Sequence, residues 1–411
     1  MRTLIKYELL KILRKKSTLL IMTISLILTA FLFGLPIMQY QTYNQDGVLQ
    51  GTEGIKYEKE QASQYSVSLT DEFVEETVQE VNELFQNPDN VGFDGNEKFL
   101  IGDAYWENIA PKEKLLRLIA TNYAEQGAYA GYNSLPELDL GGGANFYEAR
   151  NEKIETILNA SSRDMSEKQK EYWREMNNDV ETPLRYGYHE GWEVIITSFE
   201  LLMFAILSVC IVIAPVFASE YQAGTDAVIL SAKYGRTKLI TAKIVSSFLF
   251  AILAFTVHLI VACGFPLAFF GVDGWNLPLQ ILGTTIPYPL SLLQMTLINL
   301  GVIYLVVIAM AGLTLLLSAK MKTPYLVLAV LVPVLFIPMF LTPTGIAGIY
   351  NQLLFLLPYR STMPEFGKYV SYQFGGLVLD ALSVRAIVYT VLTVISIPFI
   401  RLFFRKHQVS A

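Results

Sequence analysis

Long apolar runs constrain this chain more than any other feature. Residues 17–38 carry no charged side chain, and comparable stretches recur at about 194–218, 240–270, 291–318, 324–342 and 384–403. Roughly 20 such residues in a helix cross a bilayer. Hydrocarbon offers no water to the backbone, so open-ended segments cross it as helices, whose N–H and C=O groups are satisfied internally. The runs therefore predict an all-α integral membrane protein with six transmembrane helices.

Charge sets the expected orientation. Residues 40–190 hold 13 Lys and Arg against 29 Asp and Glu, and the rest of the chain 18 against 8, which together give the net charge of −6. The chain reads as an acidic insert carried by an apolar, basic-flanked body, and its acidic surface argues against nucleic acid as a partner. Lys6, Lys11, Arg14, Lys15 and Lys16 precede the first run. Lys233, Arg236, Lys238, Lys320, Lys322, Arg401, Arg405 and Lys406 fall in short loops or ends on the same side. By the positive-inside rule that side is cytoplasmic, which gives an N-in, C-in topology. The first run lacks a small-residue cleavage site and is read as a retained span, not a signal peptide.

The expected organisation follows. Residues 1–16 form a cytoplasmic amphipathic helix at the membrane surface, with Leu9, Leu10, Ile12 and Leu13 among lysines. Residues 17–39 form the first span. Residues 40–192 form an extracellular, mainly helical domain. Residues 193–405 hold the remaining five spans, with a cytoplasmic loop at 219–238 and an outer region at 343–383. Residues 406–411 are a cytoplasmic tail. The apolar stretch 346–357 is short for a crossing and is read as an outer-leaflet or re-entrant helix. In the insert, Thr70 caps a helix presenting Phe73, Val74, Val78, Val81, Leu84 and Phe85, and Asn87-Pro88 stops it. Pro111 opens another helix with Leu115, Leu116, Leu118 and Ile119. Residues 146–159 and 166–176 read as two more, and Gly141-Gly142-Gly143 as a loop. Trp192, Trp275, Tyr288 and Tyr359 sit near span ends, as an aromatic belt does.

Chemical motifs are few. There is no phosphate-binding G-x-x-x-x-G-K-[ST] sequence, no dinucleotide fingerprint, no H-E-x-x-H and no G-x-S-x-G. No catalytic, cofactor-binding or metal-binding residue is assigned. Cys210 and Cys263 lie in apolar runs and read as small buried hydrophobes, with a disulfide as the alternative. Glu193 and Glu200 lie seven residues apart, on one face of a continuous helix. With His258 of the third span they are candidates for a substrate path, against the plainer reading of locally hydrogen-bonded groups. Arg385 is expected to snorkel to the outer interface.

The segment F-A-S-E-Y-Q-A-G-T-D-A-V-I-L-S-A-K-Y-G-R-T-K-L-I-T-A-K (217–243) carries the most specific pattern. It resembles the permease subunits of bacterial type 2 ABC exporters. In that family the second span ends on a Glu, then a Gly-Thr pair, a small helix, a Ser and an Arg, and a Lys where the chain re-enters the membrane. Here these look like Glu220, Gly224-Thr225, Ser231, Arg236 and Lys243. Where the family often carries a Pro before the Arg, this chain has Lys233-Tyr234-Gly235. The resemblance covers residues 1–39 and 194–405 and leaves the insert unexplained. It implies that the loop is a coupling element docking on a cytoplasmic ATPase, with Glu220 orienting it by pairing with Arg236 or Lys238; a solvated basic turn is the bland alternative. It further implies two ABC ATPase subunits, a second permease, the same or different, and a bacterial plasma membrane location. The function implied is export by alternating access, with ATP hydrolysed in the partners. Two other readings stay open: ABC-coupled mechanotransmission without a substrate path, and a receptor for a cationic extracellular ligand.

Overall fold

The computed structural model describes residues 1–406 apart from 96, 126, 129, 139, 141 and 142. Of the predicted glycine loop, Gly141 and Gly142 lie outside the described residues, as does the tail beyond Lys406. The helices are α1 (Arg2–Leu13), α2 (Lys16–Met38), α3 (Gly51–Ala62), α4 (Asp71–Gln86), α5 (Gly102–Asn108), α6 (Glu113–Tyr123), α7 (Phe146–Asn159), α8 (Glu167–Asn178) and α9 (Glu190–Thr197). They continue with α10 (Leu202–Ile213), α11 (Pro215–Gln222), α12 (Asp226–Ser231), α13 (Ile240–Phe269), α14 (Leu292–Lys320), α15 (Pro324–Phe336), α16 (Ile349–Leu354), α17 (Pro358–Thr362) and α18 (Ala381–Lys406).

Among the described residues, five helical segments are long and apolar enough to cross a membrane: Lys16–Met38, Phe199–Gln222, Gly235–Phe269, Leu292–Lys320 and Ala381–Arg405. The stretch expected as the fifth span forms a shorter apolar helix, Pro324–Phe340. The bundle is built around the second segment. α10 packs against α2, α13, α14 and α15, and α14 runs along α18. The first and last segments are peripheral and leave Leu20, Ile24, Ile27, Val391, Val394 and Ile395 exposed. Apolar exposure on this scale needs an apolar neighbour, which a bilayer supplies.

The second segment is bent, and its neighbour repairs the bend. Pro215 has no N–H to continue the helix, so α10 ends at Ile213 and α11 starts afresh. Ser318 of α14 accepts hydrogen bonds from the Phe217 and Ala218 N–H groups, both at 3.0 Å, and donates to Ala214 O at 2.7 Å. One hydroxyl thus satisfies three backbone groups that the break leaves open, as a dry site requires.

The polar insert has a buried apolar interior that is continuous with that of the bundle. Val74, Val78 and Val81 of α4, Leu115, Leu116 and Ile119 of α6, Phe146, Ile154 and Leu158 of α7 and Trp173 of α8 are all buried. The predicted cap is present, Thr70 accepting from Phe73 N–H, and Ser166 and Gln169 add a reciprocal capping box on α8 that the sequence reading did not name. Among the described residues, four two-stranded antiparallel ribbons interrupt the helices: β1 (Gln41–Asn44) with β2 (Gly47–Gln50), β3 (Val67–Leu69) with β6 (Leu184–Tyr186), β4 (Val91–Asp94) with β5 (Glu97–Leu100), and β7 (Ser371–Phe374) with β8 (Leu377–Asp380). Glycines in the turns, at Gly95 and at Gly375-Gly376, are the hairpin signal in the sequence.

The insert is seated on the bundle by polar contacts to loop carbonyls. Arg150 Nε donates to Thr284 O at 2.7 Å, Arg163 to Lys368 O at 2.8 Å, and Trp192 Nε1 to Val272 O at 3.0 Å. Tyr288, expected at a lipid interface, is instead buried and donates to Asp380 Oδ2 at 3.0 Å.

Arg385 does not snorkel. It is fully buried, donating to Phe355 O at 3.0 Å and Met363 O at 2.8 Å, with Glu365 Oε2 at 3.6 Å. The segment leading to β7 folds over the start of α18 and brings it carbonyls and a carboxylate, so the guanidinium finds acceptors without reaching water. Glu365 also holds Arg360 at 3.3 Å and Lys368 at 2.9 Å.

Candidate functional site

The segment 217–243 occupies the end of the bundle opposite the polar insert. Its turns follow from local chemistry. Gly224 adopts φ +66°, the left-handed conformation that ends α11 and that side chains disfavour. Asp226–Ser231 forms α12, a single short helix. At Gly235 the chain folds back so tightly that a Cβ would sit 1.6 Å from Ile229 O. Only glycine fits where this chain departs from the proline of the family pattern.

Arg236 and Lys238 do not pair with Glu220. Arg236 Nε donates to Leu230 O at 3.1 Å and so caps the C-terminal end of α12. Lys238 Nζ lies 4.5 Å from the centre of the Tyr234 ring, and Lys233 Nζ 5.5 Å from it. Ser231 closes the turn by donating to Val228 O at 3.0 Å. Both cations are exposed and find their partners within the loop itself.

Glu220 has other partners. Its Oε1 accepts from Lys243 at 3.0 Å and from Lys11 at 3.0 Å, and its Oε2 accepts from Thr225 at 2.6 Å. Lys243 also meets Glu8 Oε2 at 3.2 Å and donates to Val216 O at 3.3 Å. Lys243 and Glu220 are buried. The result is a charge-balanced network of two carboxylates and two ammonium groups. It joins α1, the end of α11 and the start of α13. Burial works against the Lys11 ammonium, but its hydrogen bond to Glu220 and the charges of Glu220 and Glu8 outweigh that, and its pKa lies above the ordinary lysine value.

The sequence pattern thus located Glu220, Gly224, Thr225 and Lys243 in one place and missed Glu8 and Lys11. The signal was available: α1 places Glu8 and Lys11 one turn apart beside Leu4 and Ile12. α1 packs along α13 and does not only rest on a surface.

The candidate path residues are not brought together. Helix geometry breaks at the 3-10 turn Phe199–Leu201, so Glu193 and Glu200 do not share the face that a continuous helix gives them. Glu193 sits at the base of the insert, 3.6 Å from His189 Nε2. Glu200 Oε2 accepts from Tyr359 at 3.0 Å. His258 is buried between two segments, with Nε2 2.9 Å from Ser25 Oγ and Nδ1 2.8 Å from Ala254 O. That hydrogen bond ties the third segment to the first. Cys210 and Cys263 are both free thiols.

The chain matches the family described as ABC-2 family transporter protein over residues 2–404. No curated protein and no solved structure matches it.

Proposed function

Since the chain belongs to the ABC-2 family of transporter proteins, we propose that it is the permease of an ABC exporter, driven by two separate ATPase subunits through the segment 219–238. Membership makes it a multi-pass membrane protein of the ABC permease type. In the reading offered here, the network end of the bundle faces the cytoplasm, the polar insert lies outside, and Pro324–Phe340 completes a sixth crossing. Two permeases, alike or different, alternate access between them in a bacterial plasma membrane.

The observation that carries the proposal is the Glu8–Lys11–Glu220–Lys243 network. A force applied to α12 by an ATPase reaches α11 and α13 directly through the chain. The network adds α1 as a third arm, since displacing Glu220 alone would strand buried charges. The loop therefore moves with three helices or not at all.

The test is co-expression with a candidate ABC ATPase subunit from the same genome, purification through a tag on the permease, and ATP hydrolysis measured in lipid. The intact chain is expected to retain the ATPase. Arg236→Ala should weaken its binding, and Glu220→Ala should uncouple hydrolysis from substrate addition. An intact chain that captures no ATPase would end this reading. Single cysteines placed at Val228 and Phe93 and labelled from outside whole cells test the orientation: only the second should react.

A further inference from the structure

The base of the polar insert contains a cleft that the transport reading does not use. Its volume is about 270 Å³, and Tyr40, Tyr57, Tyr105 and Trp106 supply most of its aromatic wall. Glu58 and Glu113 lie in the same wall. We infer that this cleft binds an amphipathic organic cation, the aromatic faces holding its charged head and Glu113 supplying the counter-charge.

Three observations lead there. The first is the lining itself. Several aromatic side chains around one volume of this size form the arrangement that recognises quaternary and other weakly hydrated ammonium groups. Trp106 and Tyr105 stand edge to face at 5.0 Å and 77°, which leaves their faces directed differently around the space.

The second is the balance of charge. Lys114 is shared between Glu58, at 3.5 Å, and Glu190. One ammonium therefore serves two carboxylates. Glu113 accepts a hydrogen bond from Tyr105 at 3.0 Å but has no cation within ion-pair distance among the described residues. Arg117 is the remaining cation on the cleft, and it is exposed at the rim. The lining thus carries two carboxylates, Glu58 and Glu113, and two cations, Lys114 and Arg117; Lys114 is engaged by Glu58 and by Glu190 outside the lining, and Glu113 lies beside the rings without an ion-pair partner among the described residues. The phenols register this field: burial, and then Glu190 and Glu58, push Tyr40 above the ordinary tyrosine pKa, and burial with Glu113 does the same to Tyr105.

The third is position. Tyr40 follows the end of α2 by two residues, and its ring packs edge to face on Phe270, at the end of α13, at 5.4 Å. The floor of the cleft therefore rests on two membrane-crossing helices, at the level where aromatic side chains meet lipid headgroups. A ligand with an apolar tail and a cationic head can keep its tail among lipid while its head enters the cleft.

This inference stands whether or not the chain couples to an ATPase, because it is read by binding alone. The full chain in lipid nanodiscs of zwitterionic lipid is titrated with benzyltrimethylammonium and, separately, with its uncharged carbon isostere neopentylbenzene. Saturable binding of the cation is expected, and the isostere should bind weakly. Trp106→Ala and Glu113→Gln should each weaken the cation by roughly ten-fold. Phe374→Ala, at a distant exposed site, should change nothing. Equal affinity for the isostere, an absence of saturable binding, or unchanged affinity in both cleft variants would each overturn the assignment. Glu113 is exposed, so Glu113→Gln keeps the test valid if Trp106→Ala melts early.

Discussion

At the scale of single residues, buried polar groups do most of the work, and each depends on a partner from elsewhere in the chain. Lys243 is the clearest case. Replacing it with alanine leaves Glu8 and Glu220 facing each other with only Lys11 between them, and breaking a buried pair in this way costs about 3–5 kcal/mol. Lys243→Ala should therefore melt well below the wild type in detergent, and adding Glu220→Gln should recover part of the loss. Ser318→Ala removes no charge, yet strands the N–H groups of Phe217 and Ala218, at about 1–3 kcal/mol. Its melting temperature should fall without any change in helical content. Arg385 makes the same point from the other direction. Its place at the start of an apolar run suggests a side chain reaching for water. In the folded chain it reaches no water, because Phe355, Met363 and Glu365 come to it.

At the scale of elements, the helices of the insert were legible because their signals are local. Thr70, Asn87-Pro88, the 146–159 run and Ser166 mark ends that the structure reproduces within a few residues. The four ribbons were less legible. Their strands are three or four residues long, too short for alternation to show; turn glycines cue only the hairpins at Gly95 and Gly375-Gly376, and β3 pairs with β6 from far along the chain. The pair α7–α8 yields a pH test. Arg174 donates twice to Glu155, at 2.7 and 2.9 Å, and this hydrogen bonding holds the Glu155 carboxyl below the usual glutamate value of 4.5. A carboxylate whose pKa is depressed on folding stabilises the fold above its unfolded pKa and loses that contribution as pH falls through the folded value. Arg174→Ala should accordingly melt earlier than the wild type at pH 7, and the gap should close as the pH drops below 4.5. A gap that persists in acid would mean that Arg174 acts by packing alone.

At the scale of the whole molecule, the insert and the bundle meet at close backbone approaches that only glycine permits. A Cβ on Gly191 would lie 2.4 Å from Gly271 O, and both atoms belong to rigid ends, those of α9 and α13. Gly191→Ala should lower the melting temperature through overpacking worth about 1–3 kcal/mol. Gly301→Ala, where nothing lies within 4 Å of the added carbon, should not. From sequence alone came the apolar segments, the acidic insert, the Thr70 cap and the residue pattern of 217–243. These are properties of runs and short patterns, in which each residue constrains its neighbours along the chain. The tertiary structure decided which charges pair. Glu220 finds Lys11 and Lys243 in place of Arg236 and Lys238, Glu193 and Glu200 part at a break in the helix, and the aromatic residues after α2 close a cleft with those of α5. Such choices depend on distances between segments tens to hundreds of residues apart, and a side chain's type states only what partner it requires, not which segment will bring one.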